Sequence, residues 1–200
     1  MHKKNNYVND HYSHKAQLRG FPARSIFKLE SLNKKHNLLK PKMRILDLGA
    51  APGSWSLYAL REVGTAGSVT AVDTKPLSQK IIRTSSRLHF IQSDFSSKEF
   101  SSYLTNQYFD TILSDASPKT SGNRHIDATN SADLVEIVLK IALKSLKPTG
   151  NLVAKILQGP ELPCILKYIK QYFVRVKTAK PISSRSSSTE TFIVALGKYA

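Results

Sequence analysis

Residues Asp47-Leu48-Gly49-Ala50-Ala51-Pro52-Gly53-Ser54-Trp55 join an apolar stretch, Met43 to Leu48, to a helical pattern, Trp55 to Val63. A buried strand that ends in a turn of small residues and opens a helix makes a crevice for a nucleotide-like ligand. Gly49 and Gly53 let the backbone approach such a ligand closely. Asp73 ends the next strand-like stretch, where a carboxylate accepts hydrogen bonds from both hydroxyls of a ribose. The turn is Gly-Ala-Ala-Pro-Gly, not Gly-x-Gly-x-x-Gly, and Pro52 lacks the backbone N–H that a pyrophosphate would seek. A dinucleotide is therefore disfavoured. S-adenosylmethionine has an adenosine, a sulfonium and a zwitterionic tail but no phosphate, and suits the turn. Asp94 is placed to bond the adenine amino group. Trp55 reads equally as a floor under the site and as a core tryptophan. The candidate cofactor residues are Asp47, Gly49, Ala51, Pro52, Gly53, Trp55, Asp73, Asp94 and Asp115.

The elements that position these residues follow from short apolar runs alternating with helical periodicity. Strands are expected at 43–48, 68–73, 88–91, 109–114 and 151–157, with helices at 55–63, 132–146 and 162–172. Asp47, Asp73, Asp94 and Asp115 all fall at or just after strand ends, where an open parallel sheet binds its ligands. Two last strands, 174–177 and 191–196, lack an intervening helix and should pair antiparallel. The expected fold is α/β and Rossmann-like: a seven-stranded, mostly parallel sheet with helices on both faces and an antiparallel C-terminal strand. Residues 1–40 read as a basic extension with a helical patch near 23–33, followed by one domain over 41–200.

The 200 residues carry 30 Lys and Arg against 14 Asp and Glu, a net charge of +16 that favours a polyanionic partner. The charge is clustered. Before Pro41 the only acids are Asp10 and Glu30; after Lys140 they are Glu161 and Glu190. Such clustering is the footprint that a phosphate backbone selects. Arg19, Arg24 and Lys35 near the N-terminus, with Lys177, Lys180 and Arg185 near the C-terminus, are the candidate nucleic-acid contacts. The single cysteine, Cys164, forms no internal disulfide and is expected to pack in the core. No metal-ligand spacing stands out among the histidines, and no metal is expected. The N-terminus lacks a secretory signal and no apolar run is long enough to span a membrane, so a cytoplasmic monomer is expected.

From about Asn9 to Gly197 the chain resembles the FtsJ/RrmJ family of ribose 2′-O-methyltransferases. The likeness rests on Arg24-Ser25-Ile26-Phe27-Lys28-Leu29, Asp47 through Trp55, Ser114 through Gly122, Lys155-Ile156-Leu157-Gln158-Gly159, and Ser183-Ser184-Arg185 leading to Glu190. The resemblance implies a catalytic tetrad of Lys28, Asp115, Lys155 and Glu190. In it Lys155 accepts the proton of a ribose hydroxyl, Asp115 orients Lys155, and Lys28 with Glu190 fixes the ribose. The chemistry is coherent. The hydroxyl is a poor nucleophile, the displacement is in line, and positioning supplies much of the acceleration. A free lysine is mostly protonated at neutral pH, with a pKa of about 10.4, and a neighbouring cation favours its neutral amine. Lys155 also lies inside the apolar run Leu152 to Leu157, where an unpaired ammonium is costly. The resemblance further implies ribosomal RNA in the large subunit as partner, and a uridine in the A loop of 23S rRNA as target. The motifs leave tRNA or mRNA-cap ribose methylation open, as well as a catalytically inactive ribosome-assembly factor.

Overall fold

Ile45, Leu46, Asp47 and Leu48 are all buried, so the strand β1 (Arg44–Leu48) has both faces covered and must lie inside a sheet. The computed structural model describes residues 4–181, 183 and 188–200. The other strands are β2 (Ser68–Asp73), β3 (Leu88–Gln92), β4 (Phe109–Ser114), β5 (Leu146–Leu157), β6 (Phe173–Ala179) and β7 (Glu190–Lys198). They form one seven-stranded sheet in the order β3-β2-β1-β4-β5-β7-β6. Pairings from β3 across to β5 are parallel, and β7 inserts antiparallel between β5 and β6. The expected sheet is the observed one.

Helices cover both faces. On one side α1 (Lys4–Leu18), α2 (Ile26–His36), α3 (Ser54–Val63) and the short α4 (Gln79–Ile82) close over Ile45, Val69, Leu113, Val153 and Phe192. On the other, α5 (Lys98–Tyr103), α6 (Arg124–Ser145) and α7 (Leu162–Ile169) close over Leu46, Val72, Ile112, Leu152 and Ile193. The N-terminal segment shares the first core. Ala16, Phe21, Ile26, Leu29, Leu32 and Leu38 are buried in it, each large side chain contributing about 1.5–3 kcal/mol.

Several elements differ from the sequence-based expectation. α1 is an addition to it, because its polar sequence carries almost no apolar face. α6 starts at Arg124, eight residues before the first periodic apolar position, because the Asn123 side chain caps the N–H groups of His125 and Ile126. The helix expected to 146 ends at Ser145, and β5 starts at Leu146 instead of 151, with Pro148-Thr149-Gly150 making an irregularity between the pairs Phe109–Leu146 and Thr111–Asn151. Cys164 is exposed, not core. Helical spacing turns Ile165 and Ile169 inward and leaves Cys164 outside. Among the described residues no helix is long and apolar enough to cross a membrane.

The strand order reverses between β1 and β4, and their ends are in register at Leu48 and Ser114. The loop after β1 therefore runs against the start of the loop after β4. A Cβ on Gly49 would lie 2.6 Å from the Cβ of Ala116, and Gly49 has φ of 74°. Gly64 also has positive φ, but a Cβ there would meet nothing within 4 Å. Gly49→Ala should therefore lower the free energy of unfolding by at least about 1 kcal/mol more than Gly64→Ala, measured by urea titration. Equal losses would mean that the β1–β4 closure is not tight.

Candidate active site

Four charged side chains from four elements meet beyond the ends of β4 and β5. Lys155 lies on β5 opposite Phe192, with its side chain on the face covered by α2. Its Nζ donates to the Asp115 carbonyl at 2.6 Å and sits 3.2 Å from Asp115 Oδ1. Lys28, in the first turns of α2, reaches the same Asp115 oxygen at 3.8 Å and pairs with Glu190 at 2.8 Å. The Lys155 side chain is only 9% exposed and Lys28 only 14%, so neither is a solvated surface amine. Burial pushes the Asp115 carboxyl above the usual carboxylate range, and the Lys155 and Lys28 ammoniums pull against that shift. Lys28, Asp115, Lys155 and Glu190 are all brought together.

The sequence shows why Lys28 arrives here. Ser54 opens α3, and its hydroxyl both accepts from Ala23 N–H at 2.8 Å and donates to the Ala23 carbonyl at 3.0 Å. Trp55 Nε1 donates to the Ser25 carbonyl at 2.9 Å. Both contacts hold the segment that starts α2. At the other end of α2, Asn33 accepts from Leu39 N–H and donates to Tyr58 and Glu62. Reading the sequence missed Ser54 and Ser56; their signal was two serines spaced on the opening turn of a helix directly after the loop. It also missed Phe192, whose ring lies 5.8 Å from Lys28 Nζ and which follows Glu190 by two residues on the same face of β7.

The loop between β1 and α3 has spent its backbone donors. Gly49 and Ala50 N–H donate to the Val72 carbonyl, Ala51 N–H to Asp73 Oδ2, Pro52 has none, and Gly53 N–H donates to the Ala50 carbonyl. A pyrophosphate would find no donor from residues 49–53. The site instead gathers acids: Asp47, Asp73 and Asp115. Asp47 is buried, its Oδ2 accepting from Ser56 at 2.5 Å and its Oδ1 lacking a partner among the described residues. That set fits a ligand with positive charge and hydroxyls rather than phosphates. Among the described residues no cluster of His, Cys, Asp or Glu is placed to hold a metal ion.

The two loop glycines sit against close protein neighbours. The space beside Gly49 is filled by Ala116, and that beside Gly53 by Ile81 and Leu77. Both glycines let the loop pack closely on its protein neighbours. Trp55 is 2% exposed, 5.7 Å from the Phe192 ring, and packs as a core side chain that braces α2. Asp73 offers a half-buried carboxylate held by the N–H groups of Ala51 and Lys75. Asp94 is exposed and bonds the N–H and hydroxyl of Ser96.

The sequence profile of FtsJ-like methyltransferases matches residues 21–198. The chain belongs to the FtsJ-like methyltransferase family. It is 42% identical to the ribosomal RNA large subunit methyltransferase E of Desulfatibacillum aliphaticivorans, over 98% of this chain and 94% of that protein. The enzyme of the same name from Treponema denticola is also 42% identical, over 96% and 97%. Among solved structures, a ribosomal RNA methyltransferase from Plasmodium falciparum superposes with a TM-score of 0.76 at 25% identity, covering 89% of this chain and 98% of that one. Aeropyrum pernix fibrillarin with bound S-adenosyl-L-methionine shares the fold, with a TM-score of 0.60 at 16% identity over 86% and 76%.

The candidate RNA contacts of this methyltransferase are more scattered. Arg19 is committed internally by two hydrogen bonds to Glu30, at 2.9 and 3.0 Å, and lies over Phe21 and Phe27. Arg24 donates to the Ser183 carbonyl and lies over Tyr12. Lys180 donates to the Ser188 carbonyl. Lys35 and Lys177 are exposed. They meet around His36, whose imidazole is pushed below its ordinary pKa by burial and then by Lys35, Lys177 and Arg175. Arg185 lies outside the described residues.

Burial, aided by the charges of Asp115 and Asp73, raises the pKa of Asp47 to about 7. The folded chain thus binds this proton more tightly than the unfolded chain. The associated stability is complete below about pH 4 and is lost as pH rises through about 7, a difference on the order of 4 kcal/mol. Asp47→Asn should therefore gain on the wild type as pH is raised from 4 to 7 in denaturant titrations. A stability difference independent of pH would show that Asp47 titrates normally.

Proposed function

We propose that this methyltransferase moves a methyl group from S-adenosylmethionine to the 2′-hydroxyl of a ribose in large-subunit ribosomal RNA, at a uridine of the A loop of 23S rRNA. The observation that carries the reaction type is the convergence of Lys28, Asp115, Lys155 and Glu190 within 3.8 Å contacts. The target class is supported by near full-length similarity to enzymes named ribosomal RNA large subunit methyltransferase E.

Asp47, Asp73 and the loop 49–53 hold the cofactor, with Asp73 accepting from the ribose hydroxyls and Asp47 and Asp115 complementing its positive charge. Bound there, S-adenosylmethionine supplies an electrophilic methyl on sulfur. Lys155 Nζ, in its neutral form, takes the proton as the ribose oxygen attacks. Asp115 aims Lys155 through its carbonyl and carboxylate. Lys28, anchored by Glu190, holds the ribose oxygen in line. No step asks for large motion, so the acceleration rests on positioning and on charges fixed away from water.

The test uses ribosomal subunits from cells lacking the endogenous enzyme, labelled S-adenosylmethionine, and mapping of ribose methylation. The wild type should modify one nucleotide. Lys155→Ala should lower the rate by at least about 100-fold while cofactor binding persists. Full activity in Lys155→Ala would remove Lys155 as the proton acceptor, and an inactive wild type on every RNA would favour an assembly factor.

A further inference from the structure

An open groove of about 580 Å³ lies between α1 and α2, away from the cofactor crevice. Its volume is within the range of small-ligand sites. It is lined by Tyr12, Lys15, Phe27, Lys34, Lys35 and Ser183. Tyr12 and Phe27 contact each other with ring centroids 5.4 Å apart, and Lys15 Nζ lies 5.8 Å from the Phe27 centroid. Glu30 also borders the groove, but its carboxylate is paired with Arg19 at 2.9 Å and Lys34 at 3.6 Å. The charge left facing the groove is therefore positive.

Two links tie this groove to the tetrad. Phe27 lines it and the next residue is Lys28. Ser183, also in its lining, accepts from Arg24 through its carbonyl and precedes Glu190 by seven residues in sequence. Positions 27, 30, 31, 34 and 35 form one face of α2, and Lys28 and Lys35 bound the same side of the helix about 10 Å apart. The groove thus runs along the face of α2 next to the one that carries Lys28 and reaches Lys35, close to His36, Arg175 and Lys177.

Aromatic rings interleaved with lysines, in a groove too open for a fully enclosed ligand, match the way proteins hold unpaired nucleotides. Bases stack on rings while cations follow the phosphates. We propose that the α1–α2 groove is a nucleotide subsite: an unpaired base adjoining the methylated ribose stacks on Tyr12, and Lys15, Lys34 and Lys35 contact its flanking phosphates. This rests on the reading of RNA as the substrate. It assigns the binding of single-stranded, splayed RNA to a specific surface and makes Tyr12 a base-stacking residue. It also explains how α1, whose sequence has little apolar face, serves the enzyme: it supplies one wall of the groove.

The experiment measures binding of the full chain to a fluorescent single-stranded oligoribonucleotide bearing the A-loop sequence, by anisotropy across salt concentrations. A second oligoribonucleotide carries an abasic residue next to the target uridine. Tyr12→Leu keeps apolar packing but removes the ring, and should weaken binding about 5- to 100-fold on the intact oligoribonucleotide. Tyr12→Phe should stay within about two-fold of wild type. On the abasic oligoribonucleotide wild type and Tyr12→Leu should bind alike. Lys15→Gln should flatten the salt dependence by about one counterion. S-adenosylmethionine affinity, unchanged in every variant, reports an intact fold. Equal binding of wild type and Tyr12→Leu to the intact RNA, or the same loss on the abasic RNA, would overturn the subsite. If those variants still methylate ribosomal subunits normally, the function stands without the subsite. Failure of the wild type both to bind and to methylate RNA would overturn the function itself.

Discussion

Asp115 presents one carboxylate oxygen to two ammonium groups, at 3.2 Å from Lys155 and 3.8 Å from Lys28, and much of the fold serves to make that possible. A lysine in a buried strand has to be paired, because stripping water from an unpaired ammonium costs several kcal/mol. Lys155 has that need by virtue of its place in β5. The partner comes from the end of β4, which is adjacent and parallel. The second lysine comes from α2, which is docked on α3 through Ser54 and Trp55. Glu190 comes from the start of β7, which pairs antiparallel with β5 and so sets Glu190 opposite Leu157, near the β5 end that carries Lys155. Topology and charge pairing are thus one constraint seen from two sides.

The same molecule manages two opposite electrostatic tasks. Its surface is strongly basic, at a net +16, and attracts polyanions from a distance. Its crevice is acidic. Asp47, Asp73 and Asp115 stand at the ends of neighbouring strands, and the loop from 49 to 53 has no N–H to give a phosphate. A phosphate-rich chain is drawn to the outside and a cationic, phosphate-free cofactor is favoured inside. Lys28 and Lys155, both largely buried, sit beside these acids, paired with Asp115.

How much of this was legible in the sequence depends on how local each signal was. β1, β2, β4 and β7 are short, nearly continuous apolar runs with acids at or next to their ends, and such runs are readable. The tetrad was readable through its motifs, although only the structure shows that Lys28 and Lys155 share a single oxygen of Asp115. α1 was not readable, because it is stabilised by a few contacts such as Tyr12 on Phe27 and not by an apolar stripe. The early start of α6 had a local signal in Asn123, a good N-cap residue with Asp127 in the following turn, outweighed by the absence of apolar periodicity. The roles of Gly49 and Gly53 depend on Ala116 and Ile81, which are distant in sequence, so no local pattern could separate closing against protein from opening toward a ligand. Arg19 looked like a phosphate contact because charge clustering is visible in sequence while its pairing with Glu30 is not.

If Lys155 and Asp115 act as one proton-accepting unit, removing either disables both. A kinetic double-mutant cycle tests that coupling most directly: single-turnover methylation rates for wild type, Lys155→Ala, Asp115→Asn and the double variant, with cofactor saturating. For a single unit, the double variant is no slower than the worse single variant. Losses that multiply would mean that the two side chains contribute independently, which contradicts a shared role in taking the proton.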